Sequence, residues 1–289
     1  MTGSEKSAKV VLLVQCPDKR GVVSAVADFI TRNKGNILDC KQHVDTEAQT
    51  YFMRVVWDLD GFLIPRNEIS GYFANLVAKP FDMKFELFDF GVKPRLALMV
   101  SKYPHCLLDI LSRYSAGELD VEIPLIISNH PDAKVYADRF GVEFHHVPVT
   151  ASTKPEAEAK VISLLEGANI DLIILARYMQ ILSSDFVDAF ENRIINIHHS
   201  FLPAFPGSKP YHSAYKRGVK IIGATSHYVT SDLDEGPIIE QDIVRVSHEE
   251  SVEDLIRHGR DLEKIVLARA IFHHTQHRVI VNSNRTVIF

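Results

Sequence analysis

Cysteine is scarce in this chain. Among 289 residues there are three, Cys16, Cys40 and Cys106, and no two form a Cys-x-x-Cys pair. That count excludes a disulfide framework and a paired-cysteine metal site, and it suits thiols kept reduced in a cytosol. A positive excess is missing too: 32 Lys and Arg stand against 37 Asp and Glu, a formal net charge of −5. Such a balance lacks the electrostatic footprint of a protein that binds nucleic acid or an anionic membrane. No apolar run approaches the ~20 residues needed to span a bilayer. Residues 1–9 are small and polar, without the apolar segment of a signal peptide. There is no internal repeat, no low-complexity stretch and no HExxH spacing for a catalytic metal. The expectation is a cytoplasmic protein with no metal, no cofactor, and neither nucleic acid nor membrane as partner.

What is present is an ordinary core-forming composition, 46% hydrophobic and 24% charged, in a length that suits two modest domains. Residues 10–14 read as a buried strand, and Cys16-Pro17-Asp18-Lys19-Arg20-Gly21 as a turn. Helical spacing of Val22, Val23, Val26, Ala27, Phe29 and Ile30 follows. Strands over 37–45 and 51–59, a helix over 66–78 and a strand over 83–88 complete the order β-α-β-β-α-β. That order describes a ferredoxin-like α+β sandwich for residues 1–90. Gly91-Val92-Lys93-Pro94 reads as the linker.

Residues 91–289 alternate strand and helix. Strands are expected at 96–100, 123–127, 143–147 and 171–175, and helices at 104–116, 131–140 and 155–167. Continuous apolar strands such as Leu172-Ile173-Ile174-Leu175 fit a parallel sheet covered on both faces, a doubly wound α/β domain. A further strand at 238–246, a helix at 252–272 and a hairpin pairing 279–281 with 287–289 close the chain.

The chemistry concentrates between residues 194 and 237. Ile194, Ile195 and Ile197 mark a short strand, and Asn196 and His198, two apart, leave the same face of it. A second strand from Gly223 runs into the acidic loop Asp232-Leu233-Asp234-Glu235-Gly236-Pro237. A hydrogen-bond donor, an imidazole and a carboxylate on neighbouring strand ends form an acyl-transfer constellation. In isolation each residue has a plainer explanation: a turn-forming Asn, a packed core His, a solvated acid.

Two resemblances sharpen this reading. Residues 16–21 with Phe29, Asn36 and Ile37 resemble the ACT family of small regulatory domains. That resemblance implies an effector site on Asp18, Arg20 and Gly21 for an amino acid such as glycine or methionine, or else a dimerisation module that binds nothing. The string Asn196-Ile197-His198-His199-Ser200-Phe201-Leu202-Pro203-Ala204-Phe205-Pro206-Gly207, with residues 232–236 and 175–182, resembles the folate-dependent formyltransferase family. It implies that Asn196, His198 and Asp234 act on the formyl group of 10-formyltetrahydrofolate, in an enzyme expected to be a homo-oligomer. The same resemblance draws a substrate wall from Arg177, Tyr178, Met179, Ile181, Leu182, Gly207 and Val229. Arg177 is expected either to meet the folate glutamate or to be a surface charge.

The acceptor is read from residues 101–109. Transferases of that family acting on glycinamide ribonucleotide carry a glycine-rich phosphate loop there. Here Ser101-Lys102-Tyr103-Pro104-His105-Cys106 has no glycine, and Pro104 removes an amide donor. The space is expected to be plugged by Tyr103 and His105, leaving water as nucleophile and formate as product. The alternatives are transfer to a small amine such as glycinamide ribonucleotide, or a non-catalytic folate or amino-acid sensor.

Overall fold

The structure is a computed structural model that describes residues 8–204 and 210–289. It divides into two compact units, each with its own sheet.

The first unit runs to Val92 and takes in Gln276–Ile280 and Val287–Phe289. Its strands are β1 (Lys9–Pro17), β2 (Asn36–Asp45), β3 (Thr50–Asp58) and β4 (Lys84–Asp89), paired antiparallel in the order β2-β3-β1-β4. Helix α1 (Val22–Arg32) starts behind Gly21, whose φ of 95° is a left-handed backbone that glycine adopts without strain. Val26, Phe29 and Ile30 of α1 pack on Val10, Leu12, Val14 and Trp57. This is the ferredoxin-like α+β arrangement expected for the first 90 residues.

The helix expected at 66–78 is broken. A 3₁₀ turn (Arg66–Glu68) leads to α2 (Ile69–Phe73), a π-helical turn (Ala74–Ala78) and α3 (Lys79–Phe81). Pro80 has no N–H for the carbonyl four residues back, so the ladder slips by one residue there. A second departure concerns the tail. It was expected with the second domain, yet Ile280, Val287 and Phe289 pack on Val11, Leu13, Phe52 and Val56. Their apolar side chains cover the face of the first sheet that its helices leave open.

The second unit, Lys93–Thr275 with Val281–Thr286, holds a seven-stranded sheet. In chain order its elements are β5 (Arg95–Val100), α4 (His105–Ser115), β6 (Glu122–Ser128), α5 (Lys134–Phe140), β7 (Glu143–His146), α6 (Lys154–Gly167), β8 (Leu172–Leu175), α7 (Ser184–Ala189), β9 (Ile194–His198), α8 (Pro210–Arg217), β10 (Ile221–Tyr228), β11 (Ile238–Arg245) and α9 (Val252–Thr275). A hairpin of β12 (Val279–Asn282) and β13 (Arg285–Ile288) follows. Strand order is β11-β10-β9-β8-β5-β6-β7. The pairs from β9 through β7 are parallel, whereas β10 runs antiparallel to both β9 and β11. From β5 the chain first winds one way to β7, then returns to β8 and winds the other way. The topological switch point therefore lies between the carboxyl ends of β5 and β8, where doubly wound sheets bind ligands.

Candidate active site

β9 is a buried strand with Ile195 and Ile197 on one face, and Asn196 and His198 follow Ile194 on the other. Its antiparallel pairing with β10 sets His227 opposite Asn196 and Thr225 opposite His198. Side chains directly opposite in such a pair share a face, so His227 joins the expected trio. A register shift at Ser226/His227 accompanies this approach.

Asp234 arrives from the loop after β10. Gly236 lets that loop lie against the strand: a Cβ there would come within 1.8 Å of the Tyr228 carbonyl oxygen. Tyr228 N donates to Pro237 O at 2.9 Å and Thr230 Oγ1 to Asp232 O at 3.1 Å, fixing the loop's two ends. Asp234 itself has φ 59°, a left-handed conformation that costs a non-glycine residue about 1 kcal/mol. The result is one carboxylate oxygen between two imidazoles, 3.2 Å from His198 Nδ1 and 3.8 Å from His227 Nε2.

The protons can be assigned. Burial pushes the Asp234 carboxyl up, but the contact with His198 and the neighbouring imidazoles outweigh it and hold the group below its ordinary range. An ionised carboxylate only accepts, so His198 carries its proton on Nδ1 and presents Nε2 for proton exchange. That buried Nε2 has no hydrogen-bond partner among the described residues. Burial pushes the His227 pKa down, so its ring is neutral. His227 Nδ1 donates to Tyr228 O at 2.8 Å, which leaves Nε2 to accept from Asn196 Nδ2 at 3.3 Å. His227 thereby fixes which way the Asn196 amide faces. His227 lies outside the trio that the sequence points to.

The other expected residues divide. Tyr178 is buried in the core formed with Phe186 and Ile173, and Leu182 and Val229 pack against that same core. Met179 and Ile181 are exposed apolar side chains beyond β8, and Gly207 lies outside the described residues. Arg177 is neither a surface charge nor an open cation: it is buried, with Nε 3.5 Å from Glu263 Oε2 and its guanidinium 5.6 Å from the Tyr103 ring centre. It too has a left-handed backbone, φ 66°. Its carbonyl accepts from Ser101 N at 3.1 Å, and Ser101 Oγ accepts from Met179 N at 2.9 Å, so the ends of β5 and β8 are tied together.

Residues 101–109 depart from expectation in one respect. His105 turns inward and meets Glu263 Oε2 at 2.8 Å, and Cys106 is fully buried. Tyr103, expected to plug the site, is half exposed between Arg177 and Arg260. It cannot be swallowed because its ring covers two guanidinium groups. Glu263 went unnoticed in the sequence because it sits among the polar positions of a long amphipathic helix.

In the first unit, Asp18 and Gly21 line a concavity of about 470 Å³ with Lys19, Val22, Val23, Ser24, Val44 and Tyr51. Arg20 is exposed and does not line it.

A doubly wound sheet that brings an amide, two imidazoles and a carboxylate together beside its switch point is the architecture of a formyl-transfer enzyme. Residues 94–271 match the family described as Formyl transferase. The chain is 56% identical over 278 residues to the formyltetrahydrofolate deformylase of Synechocystis, covering 96% of this chain and 97% of the relative. It also superposes on the crystal structure of a formyltetrahydrofolate deformylase from Pseudomonas syringae with TM-score 0.96 at 42% identity, over 99% of this chain and 96% of that one. A glycinamide ribonucleotide transformylase from Symbiobacterium toebii is similar over a smaller share, 71% of this chain and 98% of its own, with TM-score 0.65 at 33% identity. The chain belongs to the formyltetrahydrofolate deformylase family.

Proposed function

We propose that the protein hydrolyses 10-formyltetrahydrofolate to formate and tetrahydrofolate, a reaction of one-carbon metabolism, with Asn196, His198 and Asp234 as the reacting groups. The observation that carries the residue roles is the single carboxylate oxygen of Asp234 between His198 and His227, with Asn196 held beside them. Water adds to the formyl carbon, and the Asn196 amide donates to the oxyanion that forms. His198 Nε2 takes the proton of the attacking water and returns it to the departing nitrogen as the carbon–nitrogen bond breaks. Asp234 stabilises the imidazolium formed in between, as an ionised neighbour does for a charged ring. Charge, protons and atoms balance without a redox partner or a metal ion.

The test is formate release from 10-formyltetrahydrofolate in buffer with no amine acceptor and with chelator present. Turnover at the full rate is expected. Activity that appears only on adding glycinamide ribonucleotide would assign the protein to transfer instead.

The first unit supports a regulatory reading of ACT type. The concavity behind β1 carries Asp18 for an ammonium group and Lys19, whose Nζ donates to Asp82 Oδ2 at 2.7 Å, for a carboxylate that would exchange with Asp82, which suits a small amino acid such as glycine or methionine. A homo-oligomer is part of the same proposal, since β2 is an edge strand with most of its length exposed. Three free cysteines suit the cytoplasm, and supply of formate for purine synthesis is a use consistent with the product. Calorimetric titration with amino acids should give saturable heat that Asp18→Ala abolishes. Silence from every amino acid would leave the unit an assembly module.

A further inference from the structure

Tyr228 is the last residue of β10, and three parts of the site hang on its peptide. Its carbonyl oxygen accepts from His227 Nδ1 at 2.8 Å, and through His227 it orients the Asn196 amide. Its N–H donates to Pro237 O at 2.9 Å, and Gly236 lies against the same carbonyl, so the loop that carries Asp234 is seated there too. The next residue, Val229, donates to Ile194 O at 2.9 Å and ties the strand end to β9. A displacement of this one peptide would move the amide donor and the carboxylate together.

The sheet restrains that peptide only in part. The ladder between β10 and β11 shifts register at Ser226/His227 and ends with His227 opposite Ile238, one residue short of Tyr228. A ladder that slips and then stops leaves the following backbone to be fixed by other contacts.

The Tyr228 side chain supplies one. Successive strand residues point to opposite faces, so Tyr228 faces away from His227 and the reacting groups. Its ring is 2% exposed, and its hydroxyl lies 2.7 Å from His274 Nδ1, with the two rings edge to face and 5.7 Å between centres. A phenol keeps its proton at neutral pH, so the hydroxyl donates and the imidazole nitrogen accepts.

His274 stands in the last turn of α9, and that turn is registered on the sheet. Arg269 Nη1 lies 3.0 Å from Asp242 Oδ2, and His273 Nε2 lies 3.6 Å from Glu240 Oε2. Four residues of a helix rise about 6 Å and two residues of a strand about 6.8 Å, so these two pairs keep α9 and β11 in step. Glu240 is opposite Ser226, which shares a face with Tyr228, so Tyr228 and His274 meet on the same side of the sheet.

Packing is the plainer reading of this contact, and a phenylalanine at 228 would fill nearly the same space. Two features go beyond packing. The hydroxyl is aimed at a ring nitrogen at the short end of the hydrogen-bond range. It also belongs to the residue whose peptide carries both His227 and the Asp234 loop.

We propose that Tyr228 and His274 are a positioning pair for the reaction: the hydrogen bond to the end of α9 holds the Tyr228 peptide, and that peptide holds the Asn196 donor and the Asp234 carboxylate in register with each other. Both side chains lie on the sheet face away from the reacting groups, so the pair acts through others. Its effect falls on the transition state, where the oxyanion and the charged imidazole have developed. This rests on the hydrolytic reading above.

Tyr228→Phe tests it, since it removes one oxygen and keeps the ring. The kcat for formate release, expressed per folded protein, should fall about tenfold, the scale of one hydrogen bond, while KM changes by less than about twofold. His274→Leu should show the same fall. The double variant Tyr228→Phe/His274→Leu should be no slower than either single one, because both remove the same bond. His274→Gln, whose amide can still accept from the hydroxyl, should recover most of the loss. A folded Tyr228→Phe protein with wild-type kcat overturns the proposal. Additive losses in the double variant overturn it as well, and so does a His274→Gln protein as slow as His274→Leu. If Tyr228→Phe does not fold, the two His274 variants decide, because His274 is only partly buried. Wild-type formate release without acceptor is measured alongside. Its absence would defeat the hydrolytic reading, whereas its presence with an unaffected Tyr228→Phe would defeat only the pair.

Discussion

In the proposed mechanism Asn196 presents an N–H to an oxyanion that exists only fleetingly, and a free amide would rotate or flip. His227 removes that freedom by accepting from Nδ2 through a ring whose other nitrogen is held on the Tyr228 carbonyl. The two residues should therefore fail in the same way. Asn196→Ala is expected to cost about 10²–10³ in kcat with little change in KM, the loss associated with one oxyanion donor. His227→Phe should lose a part of the same factor, and His227→Gln, which can still accept, should recover some of it. The double variant Asn196→Ala/His227→Phe should be no slower than Asn196→Ala alone, because the positioning has nothing left to position. Additive losses in single-turnover assays would show that His227 acts on its own account. Asn196 and His198 share one face of a strand by their two-residue spacing, which is a local pattern, whereas Asp234 is picked out among the acids of residues 232–235 only by the resemblance to the formyltransferase family. His227 was not legible, since its place depends on β10 running antiparallel to β9, and no local pattern carries a strand's direction.

Among the elements, α9 shows how far a helix can be read. Its apolar stripe predicts the face that packs on the sheet: Leu255, Leu262, Val266, Leu267 and Ala270 are buried, whereas Ile265 of the same stripe is exposed. The same stripe says nothing of Gly259 and Glu263, which look like ordinary polar-face residues until Tyr211 of α8 is set across them. Gly259→Ala separates the two descriptions. Helix propensity alone predicts a gain of about 1 kcal/mol. A Cβ at Gly259 would come within 2.0 Å of the Tyr211 hydroxyl oxygen, so Tyr211 must leave, stranding Glu263 Oε1, which accepts from that hydroxyl, at a cost of about 1–3 kcal/mol. Net destabilisation in urea melts is expected, together with a loss of activity larger than the loss of folded protein. A more stable and fully active Gly259→Ala would mean that Tyr211 has another resting place. The segment 66–81 failed for a different reason: its apolar spacing is helical, but the backbone defect at Pro80 leaves the spacing intact while changing the ladder.

At the scale of the whole chain, the two sheets and their connectivity could be read from hydrophobic periodicity, whereas the return of the tail to the first unit could not. Its anchor is polar and depends on three distant positions. The buried Arg54 donates through Nε to His277 O at 2.9 Å, through another nitrogen to Gln276 O at 3.2 Å, and pairs with Asp39 at 2.7 Å. The His277 ring stacks on Phe88 with centres 3.9 Å apart. Burial, and then the charge of Arg54, lower the His277 pKa from 6.5 to about 4. The unfolded chain therefore binds this proton more readily than the folded one between those two values. The stabilising contribution is fully present above pH 6.5 and is lost progressively as pH falls toward 4, by at most about 3 kcal/mol. Melting of the first unit should accordingly fall between pH 7.5 and 5, and His277→Gln, which does not titrate, should flatten that slope while lowering stability at pH 7.5. The Asp234 carboxylate does not confound the window, because a depressed carboxyl loses its contribution only at pH values below the ordinary range for Asp. An unchanged slope in the His277→Gln protein would place the proton uptake elsewhere, and the stacked ring would then be a packing element alone.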